Sequence, residues 1–365
     1  MKNQKAKNGK IELARFVFAI IVMLFHIGFD VLPSDFRIWG NITFFRLGWF
    51  GVEFFFVVSG FLMASSAFKQ QEKTQRLGKE TYTFLYKKVM AILPYHIIVF
   101  AVNYIYLLIV KTKSFKTFWA VFIEAIPNFF LIQRSGLKNL DVLGVEWYIS
   151  DMLIAMLILY PLCVKYYERF TRTVAPVLAV LIIGYLTKTT GGLNGSVAWS
   201  VLFAKTLLRA IAEICAGVFV FEFCRNFKKL NFSKADKVFL TVLEGFSYFM
   251  IVFFICYDFP RSYGGTFFIF VCLAVFLSFS GVTYGNERFN NKVIYYLGSL
   301  SLPLYLCQTI MRTFAKYCAR FMEPHFAIMI FFACTFAYAL VVTPVAKKLM
   351  IAINKKAASL TSKLQ

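Results

Sequence analysis

Arg15 and His26 lie eleven residues apart in one apolar run. At about 100° and 1.5 Å per residue, an interval of eleven returns to the same helical face and separates the two side chains by about 16.5 Å along the axis. A cation that keeps its proton could hold a phosphorylated donor at one end of that line. An imidazole that titrates near neutrality could take a proton from a hydroxyl at the other. The competing reading is a snorkelling arginine and a histidine that only packs. Two carboxylates could strengthen His26 as a base: Asp30, one turn further along, and Glu53, which opens the segment Gly51–Phe61. Within that segment Ser59-Gly60 would allow a second helix to approach closely.

The other ionisable residues in apolar runs are few, and each is a functional candidate because a charge inside a membrane is costly. Arg209 and Glu213 stand four apart, a spacing at which they can neutralise each other. Glu146-Trp147-Tyr148-Ile149-Ser150-Asp151 opens a run that ends at Tyr160-Pro161, and gives one helix end a polar, aromatic character. An interfacial aromatic belt would explain Trp147 and Tyr148 without chemistry. His96 and His325 have no acidic neighbour at helical spacing and read as structural. The eight cysteines are scattered through apolar segments, with no CxxC pair and no metal-ligand spacing, so they read as small packing residues and no metal is expected.

These side chains need elements to position them, and composition says which. Of 365 residues, 59% are hydrophobic, 19% aromatic and only 16% charged, which excludes an ordinary soluble domain. Apolar runs recur near 11–29, 48–68, 88–110, 147–165, 173–187, 202–224, 237–257, 264–284, 293–314 and 326–347. Each approaches the roughly 20 residues that cross the hydrocarbon core as a helix. The fold expected is an all-α membrane bundle of about ten spans: one transmembrane domain over residues 1–350 and a short basic tail over 351–365. The first run follows lysines as a secretory signal would, but Arg15 and His26 bracket it and no small-residue cleavage site follows, so it reads as the first span. Two stretches are ambiguous. Residues 115–133 carry Glu124, Pro127 and Asn128, which suits an interfacial or re-entrant helix, and 173–187 is short.

The net charge of +22 sits in short clusters between apolar runs, not along one solvated face, so lipid headgroups and topology account for it better than nucleic acid. With ten spans and a cytoplasmic N-terminus, 25 of the 40 basic residues fall inside and 13 outside. The inside set includes Lys2, Lys5, Lys7 and Lys10, then Lys69 to Lys88, and then Lys165, Arg169 and Arg172. Both termini are therefore expected in the cytoplasm. Exchanging the two ambiguous stretches gives 24 against 14, a difference of one residue.

Together these segments resemble the acyltransferase-3 family of membrane enzymes, over most of the chain. The family's Arg-x10-His pattern is met by Arg15 and His26, its Gly-Val-x-x-Phe-Phe-x-x-Ser-Gly-Phe segment by Gly51 through Phe61, and its Trp-Tyr-x-Ser start with a later Tyr-Pro by Trp147 through Pro161. Its Leu-Gly-x-x-Ser-x-x-x-Tyr-Leu pattern is met by Leu297 through Leu306, which includes Tyr305. The chain departs from the family at Ala91, where a second basic residue often follows one at the position of Lys88, and at Gln308, where histidine is common. The resemblance implies transfer of an acyl group, expected to be acetyl, from cytoplasmic acyl-CoA to a hydroxyl of a sugar or surface polysaccharide. His26 would be the general base, supported by Glu53 or Asp30. Arg15, Lys87 and Lys88 would lie near the donor phosphates. Ser59, Glu146, Trp147, Ser150, Asp151 and Tyr305 would lie on the acceptor side or support it. Acyl-CoA is then a co-substrate and no bound cofactor is expected. The partners are acyl-CoA, a glycan and membrane lipids, and the location is a bacterial cytoplasmic membrane. The rival reading is a transporter or flippase for a glycan or lipid-linked substrate, since intramembrane Arg, His and Glu also mark transport pathways. No inverted repeat or matched pair of broken helices supports it.

Overall fold

The computed structural model describes residues 8–34, 36–71, 76–194, 199–200 and 203–363, so Lys2, Lys5, Lys7 and Lys73 lie outside the described residues. Almost all of what is described is helix. The chain runs α1 (Gly9–Val31), a hairpin of β1 (Arg37–Trp39) and β2 (Ile42–Thr43), α2 (Gly51–Phe68), α3 (Leu77–Lys111), α4 (Phe115–Phe129) and α5 (Trp147–Lys165). It continues with a short α6 (Tyr167–Arg169), a π-helical turn (Phe170–Val174), α7 (Ala175–Thr190) and a second hairpin, β3 (Trp199–Ser200) with β4 (Phe203–Ala204). The last helices are α8 (Lys205–Phe227), α9 (Lys234–Cys256), α10 (Gly264–Ser280), the short α11 (Asn286–Phe289), α12 (Lys292–Cys318) and α13 (Pro324–Lys363). This is an all-α membrane bundle, and among the described residues sheet is confined to two small hairpins.

Among the described residues, nine helical segments are long and apolar enough to cross a membrane. Each corresponds to a run read from the sequence. The tenth run, α8, has 23 residues and is as long as α1, but Lys205, Arg209, Glu213, Glu222 and Arg225 lower its apolar character. Length decides between the two ambiguous stretches. α4 has 15 residues, and at 1.5 Å each reaches about 22 Å, short of a hydrocarbon core of roughly 30 Å. The stretch from Tyr167 to Thr190 has 24 residues. α4 starts at a capping box, in which Ser114 and Thr117 satisfy each other's backbone N–H groups.

The chain forms two compact units. The first holds Met1–Tyr82 and Asp151–Ser301, and is built on α2 packed against α8. A side chain on Gly60 would collide with the backbone of Ile214, and one on Gly217 with the carbonyl of Val57, so the two glycines let the helices approach backbone to backbone. α1, α7 and α10 pack around that pair, and α9 packs against α10. The second unit holds Thr83–Ser150 and Leu302–Gln365. Within it Phe100 of α3, Ala125 of α4 and Val142 form a core edged by Tyr104, Leu107 and Leu140. The connection from α4 to α5 is tied down by Thr309 Oγ1, which donates to the Leu143 carbonyl at 2.5 Å, and by the Tyr305 hydroxyl, which donates to the Val145 carbonyl.

Candidate functional site

α1 carries Arg15 and His26 on one unbroken helix. Its first turn is anchored on both sides. The Asn8 side chain accepts from the N–H of Ile11 and donates to the Ser278 carbonyl at 2.7 Å. Gly9 lies so close to the Phe289 carbonyl that no side chain fits there. Lys10 is buried, with its ammonium 2.6 Å from Glu244 and 2.8 Å from the Thr283 hydroxyl. Glu244 also accepts from Ser278 at 2.6 Å, so the lysine enters the interior with its charge matched. Arg15 lies beyond this anchor, with its side chain 36% exposed and its guanidinium 3.4 Å from Glu12. Gly298, from the Leu297–Leu306 segment, comes up against Glu12, which explains a glycine at that place in the pattern.

The other end of α1 is held by the first hairpin. Gly28 lies against Phe44 and Gly48 against Phe25, and the Phe25 ring is 5.2 Å from the His26 ring. The hairpin is in turn fastened to the end of α9. Thr43 donates to the Cys256 carbonyl at 3.1 Å, the N–H of Leu47 donates to the Ile255 carbonyl at 3.2 Å, and Arg37 and Arg46 grip Asp258 at 2.7 and 2.8 Å. The hydrogen bond from Arg37, followed by the charge of Arg46, holds the Asp258 carboxyl below its ordinary range. His26 and Asp30 are both partly buried on this anchored end.

Glu53 is fully buried in the first turn of α2 and pairs with Arg209 of α8, at 2.5 Å from Nη2 and 2.9 Å from Nε. Arg209 also makes the pair with Glu213 that its spacing suggested, at 2.9 Å, and the Trp49 ring lies 5.5 Å from its guanidinium. One cation therefore serves two carboxylates, one on its own helix and one 156 residues away. Ser59 is buried and its hydroxyl donates to the Met152 sulfur at 3.3 Å.

In the second unit Glu146 is fully buried. Oε1 accepts from Asn128 at 3.0 Å, and Oε2 lies 3.1 Å from His96 Nδ1. His96 Nε2 faces the Phe129 carbonyl at 3.2 Å, an acceptor only, so that nitrogen carries a proton. His96 had read as structural for want of an acidic neighbour at helical spacing. Its carboxylate comes from fifty residues away, and no periodicity could have shown it. Ser150 accepts from the N–H of Arg134 at 3.2 Å, and Trp147 is partly buried. Lys87 is exposed, while Lys88 is partly buried with its ammonium 5.7 Å from the Phe84 ring centroid. Asp151, assigned to the first unit, is fully buried. Gln308 is buried and donates to the Tyr305 carbonyl at 2.9 Å.

The molecule is a polytopic helical bundle with paired charges in its interior. The family model described as an acyltransferase domain matches residues 8–345, and the chain belongs to that family, acyltransferase-3. No curated protein and no solved structure matches it significantly. The protein is thus a multi-pass membrane acyltransferase, acting between an acyl donor and an acceptor.

Proposed function

We propose that the protein is an O-acyltransferase, moving an acyl group, with acetyl the first to test, from cytoplasmic acyl-CoA to a hydroxyl of a sugar or surface polysaccharide at the bacterial cytoplasmic membrane. Both termini lie in the cytoplasm, where the basic clusters gather. The observation that carries the reading is the contrast among the ionisable groups of the first unit. Glu53, Arg209 and Glu213 are sealed and matched to one another, whereas Arg15 and His26 are partly exposed at opposite parts of one anchored helix.

Arg15 sits toward the end that meets the donor, where a guanidinium suits phosphate oxygens. Lys87 and Lys88, in the second unit, are further candidates for contact with donor phosphates. His26 takes the proton of the acceptor hydroxyl as its oxygen attacks the thioester carbonyl. The carbon–sulfur bond breaks, CoA leaves as the thiolate, and the imidazolium returns a proton to it. Asp30, one turn beyond His26, would steady the imidazolium, whereas Glu53, expected from the sequence to do so, has its charge matched by Arg209. Candidates for the acceptor side are Ser59 and Asp151 in the first unit and Glu146, Trp147, Ser150 and Tyr305 in the second, each unit taken by itself. The rival transport reading predicts substrate accumulation without thioester turnover.

The test is turnover of labelled acetyl-CoA by purified protein with added glycan acceptor, and ester analysis of surface glycans in cells with and without it. His26→Ala and His26→Gln should each reduce turnover by about 10²- to 10⁴-fold, as expected for a lost general base, at equal membrane abundance. An active His26→Gln enzyme would rule out proton abstraction by this residue.

A further inference from the structure

The basic residues Lys165, Arg169 and Arg172 figure in the sequence only as topological charge, and Arg225, Lys228 and Lys229 form a second such cluster. In the structure some of them are built into a site. Glu222 of α8 is 3% exposed and accepts hydrogen bonds from four side chains. They come from the Tyr167 hydroxyl at 3.1 Å, Arg172 Nε at 3.2 Å, Arg225 Nε and Nη2 at 3.0 and 2.7 Å, and Asn226 at 3.3 Å. Every lone-pair direction of that carboxylate is in use. A charge that served only membrane orientation would need no such frame.

The presentation of the two arginines is equally particular. Arg172 stands on the π-helical turn Phe170–Val174 between α6 and α7, a rare element that often marks functional places. It spends Nε on Glu222 at 3.2 Å. Its Nη2 lies 3.5 Å from Glu168, a loose and exposed pair. The Arg172 side chain is 52% exposed and that of Arg225 is 26% exposed. The Arg225 guanidinium lies 4.5 Å over the Phe68 ring, and Phe68 packs against Tyr167 at 5.4 Å. Arg169, Lys228 and Lys229 are exposed nearby in sequence, so cations outnumber the two carboxylates, Glu168 and Glu222, that the arginines pair with.

We infer that Arg172 and Arg225, held in register by the buried Glu222, form a phosphate-binding site where the π-turn meets the end of α8, and that its ligand is a phosphate ester on the cytoplasmic side. Two sources carry that chemistry there: the nucleotide end of the acyl-CoA donor, which rests on the function proposed above, and the headgroup of an anionic phospholipid. The Nη groups of Arg172 match phosphate oxygens in a way that lysine does not, and Arg225, whose Nε and Nη2 are held by Glu222, adds fixed positive charge over the Phe68 ring beside them.

The experiment uses the full chain in nanodiscs. One arm measures binding of coenzyme A and of dephospho-coenzyme A by calorimetry, in phosphatidylcholine. The other measures retention of phosphatidylglycerol by native mass spectrometry, from mixed phosphatidylglycerol and phosphatidylcholine discs. Arg172→Ala should weaken one of the two ligands about tenfold, the worth of a charge-assisted hydrogen bond at a half-exposed site. Arg172→Lys, which keeps the charge, should also fall short of wild type. The thermal midpoint in phosphatidylcholine discs should fall only slightly, because Arg225 still pairs with Glu222, and should Arg172→Ala not fold, Arg172→Lys decides. A loss in the first arm names the donor, and a loss in the second names the lipid. Wild-type binding by both variants in both arms overturns the site. Absence of acetyl-CoA turnover in the wild type would remove the enzyme reading but leave the lipid arm standing, so the two failures are told apart.

Discussion

Replacing Arg209 by Met tests what Glu53 is for. In the folded protein one guanidinium lies 2.5 Å from Glu53 and 2.9 Å from Glu213, with all three side chains sealed from solvent. Removing it leaves two carboxylates in an apolar interior with no cation between them. Breaking a single buried pair costs about 3–5 kcal/mol, and here one deletion uncovers two charges, so the upper end applies. Against a typical total stability of about 5–15 kcal/mol, the variant should lose a third or more of its resistance to unfolding. The assay is denaturant unfolding in detergent, followed by tryptophan fluorescence. A companion carrying Glu53→Gln, Arg209→Met and Glu213→Gln together has no charge left among these three positions, and should recover most of the loss, because the penalty comes from the unmatched carboxylates and not from the missing bonds. Glu53→Gln alone leaves the Arg209–Glu213 pair neutral, and should retain more activity than either His26 variant at matched abundance. Wild-type stability of Arg209→Met, or a triple variant as weak as the single, would refute the reasoning.

Two further outcomes follow from other parts of the molecule. In a cysteine-free background, a cysteine at Lys138, 85% exposed, should react with an impermeant thiol reagent added outside, while one at Arg169 should react only after the membrane is opened. The reverse labelling would invert the proposed orientation. Arg37 and Arg46 depress the Asp258 carboxyl, so the pairing contributes stability in full above the ordinary value of 3.8 and loses it as pH falls through the lower folded value. Hydrogen-exchange protection at Arg37–Thr43, taken relative to the intrinsic rate at each pH, should therefore persist at pH 5 and fall only in stronger acid, with Asp258→Asn removing that dependence.

How much was legible beforehand depended on whether a feature is local in the chain. Apolar runs long enough to cross a membrane must become helices, because no water is present there to satisfy the backbone, and all ten expected runs appear as helices. The spacing of Arg15 and His26 is a property of a single helix, and so is the Arg209–Glu213 pair. The four motif segments, taken in order, pointed to the family for the same reason: each is a short stretch whose residues sit side by side in the chain. Which residue neutralises which across the bundle is not written in any period. Glu53 finds Arg209, Lys10 finds Glu244, and Glu146 finds His96 only after helices distant in sequence have packed. Sequence alone determined that these charges had to be matched, because an unmatched charge in an apolar interior is too costly to keep. Tertiary structure alone decided the partners, through close approaches such as Gly60 and Gly217 that bring one helix backbone against another.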